Sequence, residues 1–262
     1  MQIAVVTPKG GAGKTTAAVE LAIRLPGRVL LIDTDQQGDA SIRLGVELGE
    51  GATTADVLTG RAEVTEAAVA SPLLDHVDVL PGSHSLARLE HTPAALTALR
   101  DELPDLVGEG KRWDHVVIDT PSALGMATGS GLAAAAVIVA PVSGPEAYKE
   151  AGRLETYIAE AIRPRINKGA GIRWVVPIAW DARTVLHRNL LAAMIERWGT
   201  DQVTRPVRST TTAKESYVAG RPVSLYAPSA PIVADFDAMA SAIANAEGVT
   251  ARRYKHDQGV SR

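Results

Sequence analysis

The sequence predicts an α/β fold: a mostly parallel central sheet with helices on both faces. Three observations carry that expectation. Short β-branched or apolar runs recur along the chain, segments of helical spacing separate them, and a glycine-rich turn stands between the first run and the first helical segment. The runs are nearly continuous in apolar residues, as strands covered on both faces require.

The first strand is "IAVV" at 3–6, and the turn "TPKGGAGKTT" at 7–16 leads it into a helix over 14–25. "VLLI" at 29–32 and "VDVL" at 77–80 are the next strands, followed by a helix over 93–103. "HVVI" at 115–118 and "AAVIVA" at 135–140 precede a helix over 146–162, and "RWVVPIA" at 173–179 precedes one over 185–198. In the last helix, 231–246, Ile232, Phe236, Met239 and Ile243 recur at helical spacing and form a stripe for packing on the sheet. No internal repeat or low-complexity linker divides the chain. The reading is one domain over 1–247 and a flexible, polar, basic tail over 248–262.

Composition narrows the function classes. With 262 residues, 46% of them hydrophobic, the chain can bury a sizeable core. It has no cysteine, which excludes disulfides, thiolate-held zinc and cysteine-held iron–sulfur clusters. No apolar run reaches spanning length and the N-terminus lacks a signal pattern, so neither a membrane span nor secretion is expected. The net charge of −3 hides an asymmetry: residues 1–150 carry 11 Lys/Arg against 20 Asp/Glu, and residues 151–262 carry 16 against 10. A basic half in an acidic chain raises nucleic-acid binding as a hypothesis.

The turn at 7–16 reads as a phosphate loop. Gly13, Lys14 and Thr15 fit the end of G-x-x-x-x-G-K-[ST], but Pro8 stands where the first glycine belongs, and a second lysine, Lys9, follows it. A helix N-terminus presents backbone N–H groups to an anion, and Gly10, Gly11, Ala12 and Gly13 let the chain wrap it closely. The expected ligands are ATP and Mg²⁺, with Lys14 on the β- and γ-phosphates, Thr15 on the metal and Thr16 completing the loop.

Acidic partners for such a loop lie at two strand ends, "LIDTDQQGDAS" and "HVVIDTPSALG". Asp119 ends an apolar strand where ligands of parallel sheets bind, and is read as a carboxylate holding Mg²⁺ through a water. Asp33 and Asp35 are two apart and share a face if extended; one would touch the metal shell and the other would orient the attacking water. Asp39 is read as a plain loop aspartate.

"PKGGAGKTT", "LIDTDQQGDAS" and "VVIDTPSALG", in that order, resemble the deviant Walker A, switch I and Walker B segments of the ParA and MinD family of ATPases. The resemblance continues through "DVLPGSHSLARLE", "VAPVSGPEAYKEAGRLETYI", "AWDARTVLHRNLL" and "AKESYVAGRPV", over nearly residues 1–245. It implies a P-loop NTPase in which Lys9 reaches the phosphates held by the other subunit of an ATP-sandwich dimer. It also implies that Asp35 is catalytic, which leaves Asp33, Asp119 and Thr15 for the metal. The adenine should lie against "RPVRSTTT", with Pro206 and Arg208 in contact. The chain departs from the family at Gln36 and Ser122, where prolines are usual, and in the order Pro206, Val207, Arg208.

The resemblance further implies a homodimer formed on ATP binding, sequence-independent contact with double-stranded DNA, and a ParB-like adaptor that stimulates slow hydrolysis, all in the cytoplasm on the nucleoid. Candidate DNA contacts are Arg163, Arg165, Lys168, Arg173, Arg183, Arg188, Arg205, Arg208, Lys214 and Arg221, with Arg252, Arg253 and Lys255 in the tail. Few aromatics interleave with them, which favours duplex backbone over single strands. The tail has no apolar face for a MinD-like membrane helix. The first strand begins at once, so no helix-turn-helix segment is expected ahead of the loop. Two alternatives accompany DNA segregation: positioning of a protein cargo on the nucleoid, and a metabolic ATP-dependent ligase of the same fold.

Overall fold

The computed structural model describes residues 1–49 and 51–254. Seven strands form one sheet: β1 Gln2–Val5, β2 Val29–Asp33, β3 Val69–Ala70, β4 Val77–Leu80, β5 His115–Asp119, β6 Val137–Val142 and β7 Ile172–Pro177. Their spatial order is β3-β4-β2-β5-β1-β6-β7, and every pairing is parallel except that of the two-residue edge strand β3 with β4. β5 lies between β1 and β2, in register with both, so that Val5, Asp119 and Asp33 stand abreast at the C-terminal edge.

The helices are α1 Lys14–Arg24, α2 Asp39–Arg43, α3 Thr54–Leu58, α4 Val64–Ala67, α5 Ala95–Leu106, α6 Met126–Ala134 and α7 Pro145–Tyr157, followed by α8 Val185–Trp198, α9 Thr211–Val218, α10 Val223–Tyr226 and α11 Pro231–Ala246. A 3₁₀ segment, His84–His91, precedes α5, and a π-turn over Ile158–Ile162 extends α7. Side chains alternate across the sheet as strand geometry demands. Ile3, Val5, Leu31 and Val117 pack with α1 and the Ile232, Phe236, Met239 and Ile243 stripe of α11. Ala4, Ile32 and Ile118 face the other way, onto Leu99 of α5, Leu132 of α6 and Leu154 of α7. Both faces are thus covered, as the continuous apolar strands require.

The helical periodicity located the long helices but not α6. Its sequence "MATGSGLAA" has no apolar stripe because eight of its nine residues are buried. Nor were the short helices α2, α3, α4, α9 and α10 expected.

One buried polar cluster ties α1 to the C-terminal elements. Arg24, 0% exposed, pairs with Glu20 and with Asp237 of α11 and donates to Ser224 of α10. The chain after α11 joins this cluster: the Arg252 N–H donates to the Arg24 carbonyl at 2.7 Å and the Tyr254 N–H to Asp237 Oδ1 at 3.3 Å. Val249, Ala251 and Tyr254 pack against the α1 and α11 layer. The expected free tail therefore begins as a docked segment, because the C-terminal carbonyls of α1 need donors that this backbone supplies. Lys255 and the residues beyond lie outside the described residues.

Candidate functional site

The site is built on the loop between β1 and α1. Gly11 and Gly13 adopt φ of +71° and +87°, left-handed conformations natural to glycine, and Gly13 caps α1 without a side-chain bond. The first-turn N–H groups of α1 are therefore left for an anion. Lys14 is buried, with Nζ donating to the Lys9 carbonyl at 3.1 Å. Burial lowers its pKa, against the opposing pull of Asp119 and Asp35.

A cavity of about 500 Å³ opens over this loop. Residues 10–16 floor it, Asp35 and Ser122 border it, and Val207, Arg208, Ser209, Thr210, Ile232 and Phe236 form a partly apolar far wall. Its size and lining, phosphate donors at one end and an apolar slot at the other, suit a nucleoside polyphosphate.

Asp33 and Asp119 stand side by side on β2 and β5, both fully buried, with different surroundings. Asp33 accepts hydrogen bonds from the Asp35 N–H at 3.1 Å, the Ser41 N–H at 2.9 Å and the Ser41 hydroxyl at 2.7 Å. It thereby pins both ends of the loop between β2 and α2. Burial pushes its carboxyl up to about 6, in spite of those bonds. Asp119 is raised too, first by burial and then by the Asp33 charge, with partial relief from Thr15 and Lys14. Neither of its carboxylate oxygens has a hydrogen-bond partner.

An unpartnered buried carboxylate beside a hydroxyl is a donor set for a hard divalent cation. Thr15 and Asp119 fit Mg²⁺ in that sense; the oxygens of Asp33 are already engaged by the loop. No cluster of three or more metal-ligating side chains occurs among the described residues. That pattern matches an ion held chiefly by phosphates and waters.

Asp35 is half-buried at the cavity border, where Oδ1 accepts from the Gln37 N–H at 3.0 Å. Gly82 supports it from behind, since a Cβ there would lie 2.6 Å from the Asp35 carbonyl oxygen. Lys9 is not among the cavity-lining residues; its ammonium reaches the other way, 3.1 Å from Glu146 Oε2 on the first turn of α7.

Several expectations are corrected. Pro206 does not line the cavity but a neighbouring depression with Trp180, Asp181 and His187. The reason is local: residues 203–208 run as an extended stretch beside β7, bridging Val203 to Val175 and Arg208 to Trp180, and Pro206 and Val207 face opposite ways. Val207 therefore takes the cavity side. Arg208 is at the wall, and Asp235 holds both its backbone N–H and its guanidinium. Asp39, read as a plain loop residue, lines the cavity, as does Lys214. Arg43 and Tyr217 line it as well; Tyr217 falls within the segment "AKESYVAGRPV" but was not singled out, and no motif had marked Arg43.

The candidate DNA contacts Arg163, Arg165, Lys168, Arg188, Arg205, Lys214, Arg221, Arg252 and Arg253 are all exposed. They do not form one patch. Arg163, Arg165 and Lys168 lie in the connection leading into β7, at the N-terminal edge of the sheet, and Arg252 lies by His76 and Asp114 at the same edge. Arg188 follows β7 on α8, Lys214 lines the nucleotide cavity, and Arg221 lies between α9 and α10. Arg173 and Arg183 are paired with Glu247 and Asp181.

A protein family described as "AAA domain" matches residues 1–169. The chromosome partitioning protein ParA of Caulobacter vibrioides is 31% identical over 232 residues, covering 86% of each chain. Among solved structures, an ATP complex of McdA from Cyanothece superposes with a TM-score of 0.80 at 19% identity, over 95% of this chain and 96% of the other. Cobyrinic acid a,c-diamide synthase from Mycobacterium smegmatis, with bound ADP and magnesium, superposes with a TM-score of 0.73 at 24% identity, over 97% and 100%.

Proposed function

Because the chain belongs to the ParA and MinD family of P-loop ATPases, we propose that it is a switch: it dimerises on binding ATP, binds duplex DNA without sequence preference as that dimer, and segregates plasmid or chromosome DNA with an adaptor that stimulates hydrolysis. The observation that carries this reading is the direction of the two loop lysines. Lys14 is buried in the subunit's own site, while Lys9 points out of it to an exposed carboxylate on α7. A cation held outside its own cavity only by an exposed carboxylate can exchange that pair for a cavity in a second copy, and it does so only when nucleotide is present to attract it.

Within one site, Lys14 and the α1 N-terminus neutralise the β- and γ-phosphates. Thr15 and Asp119 would hold Mg²⁺, which when bound would supply charge neutralisation on the phosphates. Asp35 accepts a proton from, and orients, the attacking water. Asp33 keeps Asp35 in place through the N–H bond rather than touching the metal. The loop from Asp35 to Ser41 hangs on that carboxylate, so loss of the γ-phosphate is felt by α2. Val207 and the apolar wall take the base.

The DNA contact is assigned to exposed arginines of the second half, through phosphates and hence with a steep salt dependence. The test is an ATPase and DNA-binding assay with ATP or ADP and duplexes of unrelated sequence. The proposal expects binding with ATP only, equal for all duplexes and weakening steeply with salt. Hydrolysis stimulated by a small carboxylic acid and indifferent to DNA would instead favour a ligase, the reading that the diamide synthase likeness keeps open.

A further inference from the structure

A buried cation stands in the nucleotide cavity without an anion of the protein's own. Arg43, the last residue of α2, is 4% exposed and lines the cavity. One guanidinium nitrogen donates to Thr16 Oγ1 at 3.0 Å, and the group lies 4.9 Å from the centre of the Tyr217 ring. Among the described residues no carboxylate comes within ion-pair distance; Asp39, Asp119 and Glu20 act on it only through space. The Tyr217 hydroxyl is itself held by Asp39 at 3.4 Å.

The contrast with Arg24 is instructive. That guanidinium is equally buried but has Glu20, Asp237, Ser224 and a main-chain carbonyl around it. Arg43 has five N–H donors and uses one. A desolvated guanidinium is costly unless an anion completes it, so the remaining donors of this cavity-lining residue call for one.

Which anion follows from position. Lys14 and Thr15 serve the terminal phosphates and the metal. Thr16 lies one residue farther along α1, and Tyr217 is on α9, next to the wall formed by residues 207–210. Arg43 therefore stands between the terminal phosphates and the base.

We propose that Arg43 is a nucleotide-binding residue that takes the α-phosphate, the one attached to the ribose, with Tyr217 as the aromatic platform that keeps its guanidinium flat against the cavity wall. The inference rests on the nucleotide site described above and adds a contact shared by ATP and ADP. It gives the product state a hold on the nucleotide that does not depend on the γ-phosphate.

The experiment uses the full chain and its Arg43→Met, Arg43→Lys and Lys14→Ala variants, with calorimetric affinities for ATP and ADP and thermal midpoints without nucleotide. Arg43→Met should lose roughly tenfold or more in affinity for both nucleotides alike, the worth of one charge-assisted contact. Its nucleotide-free midpoint should equal or exceed that of the wild type, since an unpaired buried charge has been removed. Arg43→Lys should recover part of the affinity. Unchanged ADP affinity, a loss confined to ATP, or a fall in the nucleotide-free midpoint would each overturn the proposal, the last in favour of a merely structural role. A wild-type chain, or a Lys14→Ala control, separates the two levels. If the wild type bound neither nucleotide, the site itself would be misread, whereas binding lost in Lys14→Ala but kept in Arg43→Met would overturn this inference alone.

Discussion

Asp119→Asn removes one of two carboxylates that stand abreast on β5 and β2. Neighbouring strands are about 4.8 Å apart, and two unit charges at about 5 Å repel by about 3 kcal/mol at an effective dielectric of about 20. Lys14 offsets part of this, so the nucleotide-free variant should be about 1–2 kcal/mol more stable than the wild type at neutral pH. The pH dependence has a definite sign. Asp33, whose carboxyl is raised from 3.8 to about 6, binds its proton more tightly folded than unfolded. Its contribution is therefore fully present below the ordinary carboxylate value and is lost as pH rises through about 6. Wild-type stability should carry that decline together with one from Asp119, whose carboxyl burial and the Asp33 charge also raise; Asp119→Asn should remove the second and leave the part that burial and Asp35 impose on Asp33. Urea unfolding at acid and neutral pH, with and without ATP and Mg²⁺, measures both effects. The variant should also lose the stabilisation that Mg²⁺-ATP confers on the wild type. A variant less stable at neutral pH, with its Mg²⁺-ATP stabilisation intact, would refute the assignment of Asp119 as an unpaired carboxylate awaiting a cation.

Two further substitutions probe the frame. Arg24→Met should cost about 3–5 kcal/mol in urea unfolding by leaving Glu20 and Asp237 unpaired, and restoring stability by a second change, Glu20→Leu, would locate the cost in that pairing. Gly82→Ala forces a Cβ to within 2.6 Å of the Asp35 carbonyl and should cost about 1–3 kcal/mol while slowing hydrolysis more than it weakens ATP binding. Equal losses in both would detach Gly82 from Asp35.

The sheet was legible because its strands are continuous apolar runs, and the phosphate loop because glycine, lysine and threonine spacing carries a mechanism. α6 was not, since a helix buried all round has no stripe. Its glycines answer to neighbours instead: a Cβ on Gly129 would come within 2.6 Å of Leu96 Cδ1. Asp33 and Asp119 each stand out in the sequence at a strand end, but only the structure separates Asp33, whose carboxylate is bonded into its loop, from Asp119, whose carboxylate oxygens have no hydrogen-bond partner. Another part of the cavity lining was hidden for a different reason. Asp39, Arg43 and Tyr217 meet there from α2 and α9, more than 170 residues apart in sequence for Asp39 and Tyr217, whose separation is 178. Pro206 falls outside the cavity and Val207 inside it because the facing of an extended stretch depends on its register beside β7, which residue types do not reveal.

The central claim is that Lys9 works for a second subunit. Its most direct test is the solution mass of Asp35→Ala, a variant expected to bind ATP without consuming it, in the presence of ATP and Mg²⁺, against the same variant carrying Lys9→Ala. The account predicts twice the subunit mass for the first and a single subunit with ATP still bound for the second. A Lys9→Ala chain that dimerised normally with ATP would contradict it.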